Sequence, residues 1–231
     1  DTGNLTVVGL ATLVSGGNAI TLGDGTTANF GSIDFAGSTV AITEASAMSL
    51  AASEATGALS LTASGAITQT GAIDADGTSS IAAGANAITL DAANDFTGAV
   101  SLSNTGANDV SITDSNALDL GTVDVGQNLT ITTGGTLSDS ATVSVPGLAT
   151  IVATGQTVIL GDSTTANFGS LDFAGAAVTI TEDSAMEIAA SEATGALSLT
   201  ASGAITQTGA IDADGTSSFS AGANTITLTQ A

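Results

Sequence analysis

The side chains in this sequence whose grouping suggests chemistry are all carboxylates. Asp74-Ala75-Asp76-Gly77, repeated as Asp212-Ala213-Asp214-Gly215, has the D-x-D-G opening of a calcium loop. In such a loop, carboxylates two residues apart supply hard oxygen ligands and the glycine permits a sharp turn. A complete loop also needs further oxygen ligands at set spacings and a closing bidentate Glu, and neither segment continues that way. The glycine-rich nonapeptide of calcium-binding β-rolls is missing as well. As a plain turn the same four residues need no metal, because Asp tolerates the bend and Gly supplies positive φ. The turn is the stronger reading. Asp74, Asp76, Asp212 and Asp214 remain the candidate ligands for loosely held Ca²⁺. An aspartate pair could also cleave a glycosidic bond.

The rest of the composition narrows function sharply. The 231 residues contain 22 Asp and Glu and no Lys, Arg or His, for a formal charge of −22, and no Cys, Trp or Tyr. No His or Lys can serve as general base, and no Cys as nucleophile or soft metal ligand. An enzyme is therefore not expected, nor an organic cofactor. Without cationic clamps, nucleic acid is excluded as a partner, and membrane insertion is not expected. The charge repels anionic surfaces and favours divalent cations as bridging agents. Its simplest use is solubility, with acidic groups on outward positions protecting strand edges and flat faces. Lack of Cys suits a chain that crosses an oxidising compartment unfolded. Neither a signal-peptide pattern nor a long apolar run occurs within these residues.

The elements that must carry these carboxylates are strands. Gly, Thr, Ser and Asn are frequent, and Gly or Asx breaks recur every few residues, which disfavours helix. Apolar residues alternate in short runs, among them Val40-Ala41-Ile42, Leu59-Ser60-Leu61, Val110-Ser111-Ile112, Leu129-Thr130-Ile131 and Val178-Thr179-Ile180. Each predicts a period-2 strand with one buried face. Only the Ala-rich stretch 44–55 could be helical, and comparison of its two copies predicts strand. Ser49 becomes Glu187, Ala45 becomes Asp183 and Ala41 becomes Thr179, while Met48/Met186 and Leu50/Ile188 stay apolar. Such one-sided change is what a half-buried strand permits.

Residues 1–93 match 139–231 without a gap at an offset of 138, and Ala51–Ser80 is identical to Ala189–Ser218. Residues 94–138 complete the period. Within it, runs recur after about 20 residues: Val40 to Leu59, Ile81 to Val100, Val110 to Leu129, Val178 to Leu197. This spacing predicts an all-β parallel solenoid, one continuous segment over 1–231 with roughly 11–12 coils and about seven per period. At one strand spacing of ~4.8 Å per coil, the two copies lie roughly 30–40 Å apart. The interior must be narrow, with Phe30, Phe35, Phe168 and Phe173 as core plugs. Pro146, where the first copy has Val8, is expected at a coil corner. The ends show no capping helix, which suggests a piece of a longer chain or end-on stacking.

Other patterns are read as structural. Thr130-Ile131-Thr132, Thr179-Ile180-Thr181 and Thr227-Leu228-Thr229 suggest a flat threonine face, but along the sequence they do not recur coil after coil. They are read as outward strand positions. Asn4-Leu5-Thr6 and Asn128-Leu129-Thr130 match the glycosylation sequon, each with its Leu on the predicted buried side.

The phrases GNLTV, GALSLTASGAITQTGAI, AGANAITLDAANDFTGAVSL, NTGANDVSITDSNALDLG and VGQNLTITTGG resemble repeats of giant bacterial surface proteins. These are the filamentous-haemagglutinin-like or β-strand-repeat proteins, and the resemblance in repeat style covers essentially the whole chain. It implies a right-handed parallel β-helix, secretion across an outer membrane, an extracellular or cell-surface location, and a role in adhesion, aggregation or biofilm. Partners would be other copies, joined end to end or side by side into filaments, and host or neighbouring cell surfaces. A calcium-bridged matrix or surface-layer component is the alternative, and a carbohydrate-acting β-helix enzyme the third reading.

Overall fold

The computed structural model describes residues 3–25 and 27–230. Asp1, Thr2, Thr26 and Ala231, which include outermost residues of both repeat copies, lie outside them. Among the described residues there are 27 strands and no helix. The strands form one hydrogen-bonded network that winds from end to end. Val40 stacks on Leu59, Val110 on Leu129 and Val178 on Leu197, all in parallel register, as the spacing predicts. One register differs. Ile81 stacks on Leu102, and Val100 stacks on Ser79 instead. The strand begins two residues before its first large apolar side chain, so spacing measured from Ile81 is displaced by one full alternation.

Two inward columns run the length of the rod. The first passes through Ile20, Val40, Leu59, Ser79, Val100 and Leu120. It continues from the same strand through Leu118, Leu137, Val158, Val178, Leu197 and Ser217. The second column includes Ile67, Ile88, Val110, Leu129, Ala149, Leu171 and Ile188. From Val40 to its copy Val178 the first column takes seven steps, so the 138-residue period is seven coils. Shorter strands close the remaining sides, as where Ser53–Ala55 stacks on Ile73–Ala75.

Burial follows the alternation. In Val40–Glu44 and Leu59–Ala63 alternate residues are buried. The ambiguous stretch forms two strands, Met48–Leu50 and Ser53–Ala55. Ala41, Ala45 and Ser49 and their replacements Thr179, Asp183 and Glu187 all retain solvent access, while Met48 and Met186 have none. Phe30, Phe35, Phe168 and Phe173 are buried as expected. Pro146 lies inside the strand Val143–Val152, at the register shift between Val145 and Leu148. There its missing N–H interrupts no regular ladder.

The glycine of the D-x-D-G segments has a different purpose from the one expected of it. Gly77 and Gly215 are not among the positive-φ glycines. A Cβ on Gly77 would lie 2.5 Å from the carbonyl carbon of Gly57, and one on Gly98 would lie 2.5 Å from that of Gly77. Successive coils touch backbone to backbone at this corner, and only hydrogen fits between them.

Candidate functional site

The four aspartates of the D-x-D-G segments occupy two kinds of place. Asp74 and Asp212 are outward residues of the short strands Ile73–Ala75 and Ile211–Ala213, and Asp76 and Asp214 stand in the bends that follow. Stacking brings Asp74 against Glu54 below and Asp95 above, and Asp212 against Glu192. Like charges one strand apart repel. Among the described residues, no three acidic side chains converge closely enough to hold a metal ion.

Carboxylates also enter the interior, against the expectation that acids stay on outward positions. Glu44, Asp114, Asp139 and Glu182 are all buried. Three of them follow one pattern, each accepting a hydrogen bond from a phenylalanine backbone N–H. Phe30 donates to Oε1 of Glu44 at 2.8 Å, Phe96 to Oδ2 of Asp114 at 3.0 Å, and Phe168 to Oε1 of Glu182 at 3.1 Å. Hydroxyls add a second bond at the glutamates, from Ser46 to Glu44 at 3.1 Å and from Ser184 to Glu182 at 2.8 Å. At Asp114 the second donor is the N–H of Asn116, 2.8 Å from the other oxygen.

Asp114 therefore has both oxygens bonded, whereas Oε2 of Glu44 and Oε2 of Glu182 are buried with no partner. Burial raises all three above the ordinary carboxylate range, against the lowering effect of their hydrogen bonds. Glu182 is pushed up to about 7, with repulsion from Asp183 adding to the effect. Alternation could have revealed these residues. In Val40-x-Ile42-x-Glu44, Val110-x-Ile112-x-Asp114 and Val178-x-Ile180-x-Glu182 the acid falls on the inward phase.

The Ser79 hydroxyl is likewise buried without a partner, whereas Asn94 and Asp139 are well paired. Asn94 accepts from the Ile73 N–H at 2.9 Å and donates to the carbonyls of Leu90 and Thr113 at 3.1 and 2.9 Å. Its Oδ1 also accepts from Gln69 at 2.8 Å. Asp139 accepts from the Gly161 N–H at 2.8 Å and from the Thr164 hydroxyl. Both side chains hold a corner where the ladder cannot satisfy the backbone.

On the outside, a groove of about 500 Å³ crosses four coils, with Thr89, Ser111, Thr130 and Thr150 along it and Asp109 as its one carboxylate. Hydroxyls stack in register more than the Thr-x-Thr pairs alone suggest, from Thr89 through Ser111 and Thr130 to Thr150. Ser49 and Thr68 extend the same face by a further pair. Serine takes the place of threonine at 49 and 111, and unequal coil lengths hide the column in the sequence. At the sequons, Leu129 is buried and Leu5 half-buried. The Asn128 carboxamide accepts from the Leu148 N–H at 2.9 Å, and that of Asn4 from the Thr27 N–H at 3.1 Å.

A family model described as repeats of unknown function (DUF5649) matches residues 37–103, 107–172 and 175–231, most of the chain. The chain belongs to this family. Comparison with curated proteins and with solved structures returns no match. The matches begin 70 and then 68 residues apart, so one family repeat is half of the 138-residue period. Val40, Val110 and Val178 open the corresponding strands, yet Val40 and Val178 stand in the first inward column and Val110 in the second. One family repeat thus advances three and a half coils and passes to the other column. The three Phe-bonded carboxylates, Glu44, Asp114 and Glu182, are one per repeat.

Proposed function

We propose that this chain is a structural and adhesive segment of a secreted bacterial fibre or surface adhesin, located outside the cell or on its surface. It would supply length, stiffness and a polyvalent acidic surface for attachment to host or neighbouring cells, for aggregation or for biofilm. The observation that carries this reading is the unbroken stacking of parallel coils through the described residues. In such an array each coil is supported by its neighbours, and extension is the property that repetition adds. Self-association is part of the reading. Val8, Leu10 and Val14 on the strand Leu5–Val14 are 92, 54 and 73% exposed. The matching strand Val143–Val152 is stacked on Leu129–Thr133, and its Leu148 is half-buried. Whatever coil precedes it, in a longer chain or in another copy, would cover Leu10 as residues 129–133 cover Leu148.

Electron microscopy and small-angle scattering of the purified chain test this reading. A rod lengthening by about 34 Å per seven coils is expected, with end-to-end or lateral association at higher concentration. A compact spherical particle would overturn it.

A second reading, a matrix or surface-layer component joined by calcium, is favoured by the in-register stack of Glu54, Asp74 and Asp95. Ca²⁺ shared between acidic faces of neighbouring rods, with Asp74, Asp76, Asp212 and Asp214 among the ligands, would relieve the repulsion along that stack. Light scattering during a calcium titration distinguishes the two, because assembly that ignores a chelator eliminates the calcium-bridged form.

A further inference from the structure

We propose that Glu44 and Glu182 are held inside the rod as neutral carboxylic acids, and that loss of the proton opens the coil corner each one closes. Both side chains are 1% exposed, and in each the hydrogen bonds gather on Oε1 while Oε2 is buried without a partner. A buried carboxylate keeps its charge only if something compensates it. This chain has no basic side chain anywhere. The ionisable groups on the surrounding elements are all acidic. On the elements around Glu182 they are Asp162 in the loop before the strand Ala166–Gly175, Asp172 on that strand, and Asp183 next in the chain, the one whose charge acts on Glu182. On the corresponding elements around Glu44 they are Asp24 and Asp34, and position 45 is alanine. The strands stacked above, Leu59–Ala63 and Leu197–Ala201, have no ionisable residue. Asp114 provides the contrast, since an N–H bond on each oxygen accommodates its negative charge.

The direction of the pH response follows from burial, which raises both groups and brings Glu182 to about 7 from an ordinary 4.5. A raised folded value means that the proton favours the folded state. Its contribution is complete below pH 4.5 and is lost as the pH climbs through about 7. Acid therefore tightens the rod at two points seven coils apart, and mild alkali loosens it there.

The test uses the intact chain with ¹³C-carboxyl-labelled glutamate. Among its five glutamates, Glu44 and Glu182 are expected to titrate above the ordinary glutamate range, and Glu182→Gln removes the higher of these two steps. Exchange of the Phe168 amide, after division by its intrinsic pH dependence, should rise about tenfold per pH unit between 4.5 and 7, about 300-fold in all. In Glu182→Gln that rise should be flat. If no glutamate of the wild-type chain titrates above the ordinary range, with or without added calcium, the proposal is overturned. It fails equally if Phe168 exchange keeps its slope in the variant. The wild-type titration decides the matter even if the variant does not fold.

Discussion

Ala51–Ser80 and Ala189–Ser218 are the same thirty residues in two places, and they do not have the same structure around them. Ile73 and Ser79 in the first copy are buried, whereas Ile211 is half-buried and Ser217 exposed. The first copy is covered by the next coil, through Asp74 on Asp95, Ala75 on Phe96 and Ser79 on Val100. Among the described residues, no later strand pairs with Ile211–Ala213 or Ser217–Ser220. A strand in this architecture has half of its burial in its own sequence and the other half in whatever stacks on it. Stability is therefore a property of adjacent coils.

This comparison can be broken or sharpened by paired substitutions. The largest effects are expected at Phe35 and Phe173, both covered on each side and 1% exposed. Truncating either to alanine should cost about 3–5 kcal/mol, equally in the two copies, measured by hydrogen exchange of the local strands. The next pair should be unequal. Ile73→Ala should cost about 2–5 kcal/mol, and Ile211→Ala clearly less when residues 1–231 are measured by themselves, because part of its side chain there meets water. Equal costs at 73 and 211 would show that the covering coil contributes nothing to burial.

A smaller asymmetry lies in the acids. Thermal stability of the wild-type chain should fall as pH rises from 4.5 towards 7, since the folded-state value of Glu182 lies above its ordinary one. The smallest expected effect is at the neighbour. Asp183→Ala, which copies Ala45 of the first repeat, should move the Glu182 titration downward by removing one repulsion. An unchanged titration would mean that burial acts alone.

Much of the fold is readable from alternation and spacing, because a solenoid expresses its whole architecture in short-range pattern. The seven coils per period and the strands over 44–55 follow from such local signals. The register at Ile81 does not, because Ser79 occupies an inward position that a leucine or valine usually fills. The role of Gly77 is also out of reach, since it depends on Gly57 one coil away. The calcium candidates are visible as residue types, but their placement on separate outward strands and bends depends on where each coil turns. The buried acids are legible in retrospect, as the third inward residue of an alternating strand. Charge argues for an outward place and phase for an inward one, and phase prevails.

The half-coil offset of the family repeat restricts how such a molecule can change length. Adding a single repeat would move everything beyond it from one inward column to the other, so surface features that had been stacked would no longer line up. Adding repeats in twos restores the original heading, and the near-identical copies in this chain differ by one such pair. A rod built on this unit keeps a consistent bearing only by growing in even steps.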